Sequence, residues 1–189
     1  MYEQLRKNLE EKITITDDEF LKVVQNIRKT TLKRKKDLLR KGDHCDFIAF
    51  VNEGCLRSYS IDDRDSEHVI QIALENNWIS DLRSFITGDK AELTIEALEN
   101  TEILVLNKSC VDTLLQEVPV LEKFFRVLYG NAYVATVDRI QWNISYPAAE
   151  RYELLLQNHP EYFQRVPLIH IASYLGMTPE NLSRIRKNG

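Results

Sequence analysis

The segment Val166–Gly189, VPLIHIASYLGMTPENLSRIRKNG, contains two short helical patterns around a tight turn. Three residues have the spacing that is typical of two helices joined by a tight turn: Ala172, Gly176 and Leu182. Ala172 is small enough for two helices to cross closely, and Gly176 tolerates the positive φ that such a turn requires. Thr178 suits the N-cap of the second helix, and Pro179 suits its first turn. The pattern predicts a helix-turn-helix.

The second of these helices has a polar and basic outer face. Residues Arg165–Gly189 carry a net charge of +3, whereas the other 164 residues carry −7 of the total of −4. A basic tail on an acidic body is typical of a DNA-reading module, because such side chains reach base edges and phosphates in a major groove. The predicted DNA contacts are Thr178, Glu180, Asn181, Ser183, Arg184, Arg186 and Lys187. A packed helix pair without DNA contact is the alternative.

The residues before this module indicate an α+β fold. Thr16 and Glu19 form a capping box for a helix that we expect to end near Arg28. Between Thr30 and Leu106, short apolar runs are separated by turn residues, which favours an antiparallel β-roll, or jelly roll, over βαβ units. Within this region the basic run Lys33–Lys36 is interpreted either as a nucleic-acid patch or as a charged edge strand.

A long helix is predicted after the β-rich region. We expect Ser109 with Asp112 to cap a short helix, and Pro119 to open a long one that reaches Ile144, about 39 Å at 1.5 Å per residue. The second half of the long helix has an apolar seam with coiled-coil spacing. The seam consists of Tyr133, Val137, Ile140 and Ile144. We expect it to pack against a second copy in a homodimer, with burial inside one chain as the alternative.

The helix-breaking segment Ser145–Pro147 sets the last predicted boundary. Proline disfavours a helical residue before it and suits the start of a new helix, which we expect to end near Asn158. The sequence therefore predicts a β-roll domain at residues 1–118, a long dimerisation helix at 119–145, and a helical helix-turn-helix domain at 146–189.

Two motifs resemble the Crp/Fnr family of bacterial transcription regulators. FVNEGCLRSY at Phe50–Tyr59 is similar to the Phe-Val-x-x-Gly-x-Leu-Arg-x-Tyr run of the family's β-roll, and ENLSR at Glu180–Arg184 is similar to its recognition helix. The resemblance covers nearly the whole chain. It implies that the β-roll is a cyclic-nucleotide-binding type of sensor and that Glu180 and Arg184 contact bases, while Arg186 and Lys187 contact phosphate.

Two departures from the family pattern are expected to matter. Pro179 stands where the family often has a further base-reading arginine, so the recognised DNA sequence is expected to differ. The strands that usually precede the helix-turn-helix are reduced to HPEYFQR at His159–Arg165, which resembles a short form of the family.

The resemblance also locates an effector pocket. Cyclic-nucleotide-binding members hold the ribose with a Gly-Glu-Leu segment and the phosphate with an arginine, but Ala91 stands at the arginine position and Glu92 beside it. A phosphodiester needs a guanidinium and is repelled by a carboxylate, so cAMP is not the expected effector. In the alternative, Arg83 or Lys90 supplies the missing cation. The predicted pocket residues are Ser80, Asp81, Leu82, Arg83, Ala91 and Glu92.

No other class of site is indicated. No cysteine precedes Cys45, the four histidines form no His-x-His pair, and no nucleotide-binding glycine loop or catalytic motif occurs. We therefore expect no enzymatic activity, metal or cofactor. The chain has no apolar run of about 18 residues and no secretory signal, so we expect a cytoplasmic protein without membrane contact.

The predicted function is that of a homodimeric, sequence-specific DNA-binding transcription regulator whose sensor domain does not bind cAMP. The predicted partners are double-stranded DNA with an inverted repeat, RNA polymerase and an unknown small-molecule effector. One alternative is a cyclic-nucleotide-responsive regulator with non-standard pocket contacts. The other is a protein-interaction module that does not bind DNA.

Overall fold

The structure is a computed structural model that describes residues 2–188, and the side chains of residues 2–187. The chain forms two compact units. The first contains the described residues up to Ser60 together with Gln71–Gly130, and the second contains Ile61–Ile70 together with the described residues from Asn131 onward. The predicted α+β class is confirmed. The functional division at residues 118/119 and 145/146 stays a prediction.

Two helices precede the first strand. Helix α1 covers Glu3–Glu10 and was not anticipated, and helix α2 covers Asp17–Gln25. The predicted capping box is confirmed, because the Glu19 backbone N–H donates to Thr16 Oγ1 and the Thr16 N–H donates to the Glu19 carboxylate at 2.9 Å. The expected end of α2 near Arg28 was wrong, since that residue already begins the first strand.

Eight strands form two four-stranded sheets within the described residues, as predicted for a β-roll. They are β1 (Arg28–Leu32), β2 (Asp37–Leu39), β3 (Phe47–Glu53), β4 (Leu56–Ile61), β5 (Glu67–Ala73), β6 (Trp78–Ile79), β7 (Thr94–Ala97) and β8 (Thr101–Asn107). The first sheet has the order β1-β8-β3-β6, and the second has the order β2-β7-β4-β5. Every strand pair whose register is described is antiparallel.

The remaining elements are helical. Helix α3 (Leu82–Thr87) interrupts the strands, and α4 (Lys108–Glu117) and α5 (Val120–Ser145) follow them. The C-terminal helices are α6 (Ala148–Asn158), α7 (Tyr162–Arg165), α8 (Leu168–Tyr174) and α9 (Pro179–Asn188). The predicted limits of the long helix are thus confirmed to within one residue.

Strand β3 is buried on both faces, which explains its almost continuous apolar sequence. Ile48 and Phe50 contribute to a helix core that includes residues of α1, α2, α4 and the start of α5. Ala49 and Val51 contribute to a roll core between the two sheets. Strand β8 alternates in the same way, because successive side chains of a strand point to opposite faces.

Two local expectations were wrong. Lys33–Lys36 is not an edge strand but the turn between β1 and β2, in which Lys35 has a positive φ of 65°. Ser109 does not cap α4, which begins one residue earlier at Lys108 with Asn107 in the N-cap position. Asn107 makes no side-chain capping bond, so the start of α4 is fixed by the end of β8 rather than by a local cap.

Replacement of Gly54 by alanine is expected to destabilise the protein more than the same change at Gly42. Both glycines have a positive φ, of 103° and 94°, so both variants carry similar backbone strain. A Cβ at Gly54 would lie 2.7 Å from Thr101 Cα and 2.8 Å from the Asn100 carbonyl oxygen, whereas Gly42 has open space around it. We expect the Gly54→Ala loss to exceed the other by about 1–3 kcal/mol in urea unfolding. Equal losses would contradict this close approach.

Candidate nucleic-acid interface and effector site

Helices α8 and α9 form the predicted helix-turn-helix. The side chains that join the two helices are almost fully buried: Ile171, Ala172, Leu175 and Leu182. Gly176 has a φ of 64° in the turn, and a Cβ there would lie 3.1 Å from Asn143 Oδ1 and 3.4 Å from Arg151 Nη1. Glycine is therefore favoured by the backbone conformation, and a larger residue would also crowd the Asn143 side chain.

The start of α9 is set by the two residues that the sequence indicated. Thr178 Oγ1 accepts a hydrogen bond from the Asn181 N–H at 3.2 Å, which satisfies one of the free amides of the first turn. Pro179 is the first helical residue, where its missing N–H has no cost.

The outer face of α9 brings the predicted DNA-contact residues together. Glu180, Ser183, Arg184, Arg186 and Lys187 are exposed, and four of them, Glu180, Ser183, Arg184 and Lys187, share one open surface of the helix. Asn181 is half-buried, and its Oδ1 accepts a hydrogen bond from Arg184 Nη2 at 3.1 Å. The arginine at the middle of the face is thus held by a neighbour on the same helix.

The seam of α5 is exposed. The exposed fractions of Tyr133, Val137, Ile140 and Ile144 are 71%, 41%, 51% and 79%, and the neighbouring Val134 is 56% exposed. Burial of the seam inside one chain, the alternative considered above, is therefore not observed. In contrast, Leu121, Phe124 and Phe125 at the start of α5 are buried in the helix core.

Asp81 is the centre of the predicted effector segment, and its carboxylate is already occupied. The side chain is only 3% exposed. Oδ1 accepts a hydrogen bond from the Ser84 N–H at 3.0 Å and caps α3. Oδ2 accepts from the N–H groups of Glu92 and Leu93 at 2.9 and 3.1 Å. Three amide donors that could bind an anionic ligand are therefore bound to the chain's own carboxylate.

The other predicted pocket residues have different surroundings. Ser80 Oγ donates to the Phe47 carbonyl at 2.8 Å, and Leu82 packs against the helix core. Ala91 is buried in the roll core, and Glu92 is exposed. Arg83 is exposed and pairs with Asp89 at 3.0 Å. Their role as a common effector pocket stays a prediction.

Comparisons with known proteins agree with this architecture. Residues 29–118 match the family described as cyclic nucleotide-binding domain. The chain is 25% identical to the fumarate and nitrate reduction regulatory protein of Vibrio cholerae, over 91% of this chain and 73% of that protein. The structure of FixK2 from Bradyrhizobium japonicum has a TM-score of 0.72 at 15% identity, over 86% of this chain and 83% of that one. A Eubacterium rectale regulator assigned to the Crp/Fnr family has a TM-score of 0.70 at 15% identity, over 92% and 83%.

The predicted Crp/Fnr resemblance is confirmed.

One residue of the Crp/Fnr-like β-roll motif has a role that the sequence did not reveal. Arg57 is 4% exposed, and its Nε and Nη2 donate to Glu96 Oε2 at 2.9 and 2.6 Å. Its guanidinium also lies 4.1 Å from the centre of the Tyr59 ring. The antiparallel register places Arg57 directly opposite Glu96, so only knowledge of the β4–β7 pairing could have identified this ion pair.

The part of the chain that the structure describes contains no group of three or more His, Cys, Asp or Glu side chains placed to hold a metal ion. Within the same residues, no helix is both long enough and apolar enough to span a bilayer.

Proposed function

We propose that this Crp/Fnr-type chain is a dimeric transcription regulator that reads an inverted DNA repeat with α9. The observation that carries the proposal is the two-sided character of α9. Leu182 is completely buried on the side of α9 that packs against α8 and α6, while the opposite face presents Arg184 and Lys187 to solvent. A helix with this arrangement enters a major groove with its outer face and is held by its inner face.

Arg184 is the strongest candidate for a base contact. A guanidinium can bind the O6 and N7 of guanine with two parallel hydrogen bonds. The contact with Asn181 Oδ1 restricts Arg184 before DNA arrives, and a restricted side chain loses less conformational entropy on binding. Glu180, one turn earlier, can accept a hydrogen bond from the N4 amino group of cytosine.

Arg186 and Lys187 are proposed to bind phosphate. They lie in the last turn of α9, where positive charge is also favoured by the helix dipole. That dipole effect accounts for their position in the helix, but it does not require Lys187 to lie on the same exposed face as Arg184. Phosphate contacts by such residues position a protein without selecting a sequence.

The exposed seam of α5 supports the proposed homodimer. Apolar side chains in this number along one helix are covered when two copies pack side by side. A two-fold axis then presents two α9 helices to successive major grooves about 34 Å apart, which is why the proposed site is an inverted repeat. RNA polymerase stays a predicted partner of the assembled regulator.

The proposed sensor domain does not take cAMP. A cyclic phosphate would have to displace the buried Asp81 carboxylate from three amide donors and would then lie near Glu92 without an arginine at position 91. The alternative cation Arg83 is engaged with Asp89. The β-roll is proposed to take a small non-anionic effector, or none.

Replacement of Arg184 by alanine is expected to weaken binding to the selected duplex by about 1–3 kcal/mol and to relax one position in each half-site. Lys187→Ala should weaken binding to all duplexes and lower the salt dependence by about one unit for each phosphate that Lys187 neutralises. Anisotropy titrations with a duplex selected from a random pool, and with random duplex, at two salt concentrations separate the two effects. Lys123→Ala, which removes one exposed charge from α5, is the control. If neither α9 variant differs from it, α9 is not the reader.

The unmodified protein is expected to sediment as a dimer of about 44 kDa, twice the chain mass of 22.1 kDa. Ile140→Asp should place a charge in the seam and weaken the dimer by several kcal/mol. Ala135→Asp, on the opposite side of the same helix, is the matched control and should leave the dimer intact. A monomeric unmodified protein at micromolar concentration would refute the dimer.

Calorimetry is expected to show no binding of cAMP tighter than about 0.1 mM, because a missing guanidinium–phosphate pair alone costs about 1.5–3 kcal/mol. The same titration with cGMP should give the same result. Saturable heats in the micromolar range would contradict the proposal. Arg83→Gln would then show whether Arg83 supplies the phosphate contact, since its loss would abolish those heats.

A further inference from the structure

The open edge of strand β5 is bound by side chains of α5 and α8, and all the residues of this contact lie in the second compact unit. Strand β5 lies at the end of the second sheet, so within the described residues the peptide groups on its outer side face no neighbouring strand. The Val69 N–H donates to Ser173 Oγ at 2.9 Å, and the Ser173 O–H donates to the Glu67 carbonyl at 2.9 Å. One hydroxyl on α8 therefore satisfies a donor and an acceptor two residues apart on the edge.

A third peptide group of the same edge is bound from α5. Arg139 Nη1 donates to the Val69 carbonyl at 3.1 Å. The Arg139 guanidinium also lies 5.0 Å from the centre of the Tyr174 ring, which is the residue after Ser173 on α8. Burial raises the pKa of the Tyr174 hydroxyl, and the charge of Arg139 acts in the opposite direction. We call these contacts of Ser173 and Arg139 with Glu67 and Val69 the β5 edge contact.

The β4–β5 hairpin that carries this edge is a well-defined element. Asp62 Oδ1 accepts hydrogen bonds from the backbone N–H groups of Arg64 and Ser66 at 2.9 and 3.0 Å, and Oδ2 pairs with His68 Nε2 at 2.8 Å. The hydrogen bond with His68, followed by the two backbone bonds, lowers the pKa of Asp62 to about 2. These bonds hold together the turn that leads into the β5 edge.

We propose that Ser173 and Arg139 are positioning residues for the DNA reader, which fasten α8 to the β5 edge and to α5. Helix α9 packs against α8 and α6, so fixing α8 restricts the direction of the reading face. A reader that is held in one orientation loses less freedom when it binds DNA, so the β5 edge contact favours specific binding. The proposal rests on the DNA-binding function proposed above. It adds that the β4–β5 hairpin positions the reader through three peptide groups.

The test compares Ser173→Ala with Ser173→Thr, which keeps the hydroxyl, and with Ser66→Ala, an exposed serine of the same hairpin. Hydrogen exchange of the Val69 amide should be at least tenfold faster in Ser173→Ala alone. The affinity for the selected duplex should fall about threefold to tenfold in that variant, as expected for one net hydrogen bond. Affinity for random duplex and the slope of its salt dependence should be unchanged, because the phosphate contacts remain.

Arg139→Gln, with Arg126→Gln on the exposed part of α5 as its control, provides a second route if Ser173→Ala does not fold. It should lower the ratio of specific to random affinity in the same way, at a temperature where circular dichroism shows both variants fully folded. A general loss of structure would instead lower the fraction of protein that binds, without changing this ratio in the protein that remains active.

Three results would overturn the proposal. The first is an unchanged exchange rate of the Val69 amide in Ser173→Ala. The second is faster exchange of that amide with an unchanged ratio of specific to random duplex affinity. The third is tighter binding of the selected duplex, which would make the β5 edge contact inhibitory. Failure of the proposed function is distinguishable. In that case the unmodified protein binds no duplex, or Arg184→Ala has no effect, whereas failure of this inference alone leaves the effect of Arg184→Ala intact.

Discussion

The antiparallel pairing of β3 with β8 buries apolar side chains on both faces of the same two strands. One face joins the two sheets of the roll, and the other receives α1, α2, α4 and the beginning of α5. The alternation of side chains along a strand ties these two cores together, because a register slip of one residue would exchange their contents. Phe124 and Phe125 lie in the second core, so the start of the long helix is anchored by the same pairing that closes the roll.

This constraint also explains why the effector segment can be built around a buried carboxylate. Asp81 follows β6, which pairs with β3. Its oxygens accept hydrogen bonds from the Ser84 amide in the first turn of α3 and from the Glu92 amide after that helix. A buried carboxylate without hydrogen bonds would be strongly destabilising, whereas three amide donors make the position tolerable. The same donors are then occupied when a phosphate approaches. The absence of an arginine at position 91 and the occupation of the amides by Asp81 are thus two independent reasons for the same expectation.

The parts of the fold that could be predicted depend on residues close together in sequence. The Thr16–Glu19 capping box, the Gly176 turn and the Thr178–Pro179 helix start each involve interactions within a few residues, and each was found. Helix α1 was missed because Leu5 and Leu9 stand among many charges, and their complete burial comes from a core that the local pattern does not show. The start of α4 was misplaced because the end of β8 sets it.

The candidate sites divide in the same way. The reading face of α9 follows from helical periodicity, so the exposed residues were predictable. The ion pair of Arg57 with Glu96 and the hydrogen bonds of Asp81 depend on strand register, which no single-sequence pattern reveals. Ser173 is the extreme case, since its partners lie 104 and 106 residues earlier in the chain.

Asp81 and Ser173 share one physical principle, although one lies in each compact unit. In both places, backbone groups that the sheets leave without a strand partner are completed by a short polar side chain. Peptide groups in partly buried positions need such partners, so each side chain stabilises one arrangement of its surroundings over others. At Asp81 the partner is a nearly buried carboxylate that accepts hydrogen bonds from three amides, which favours one closed arrangement of the segment. At Ser173 the partner is a neutral, half-buried hydroxyl, and a hydrogen bond of this kind contributes about 0.5–1.5 kcal/mol net. Removal of either side chain would therefore leave backbone donors unpaired, at a greater cost where the position is more deeply buried, as at Asp81.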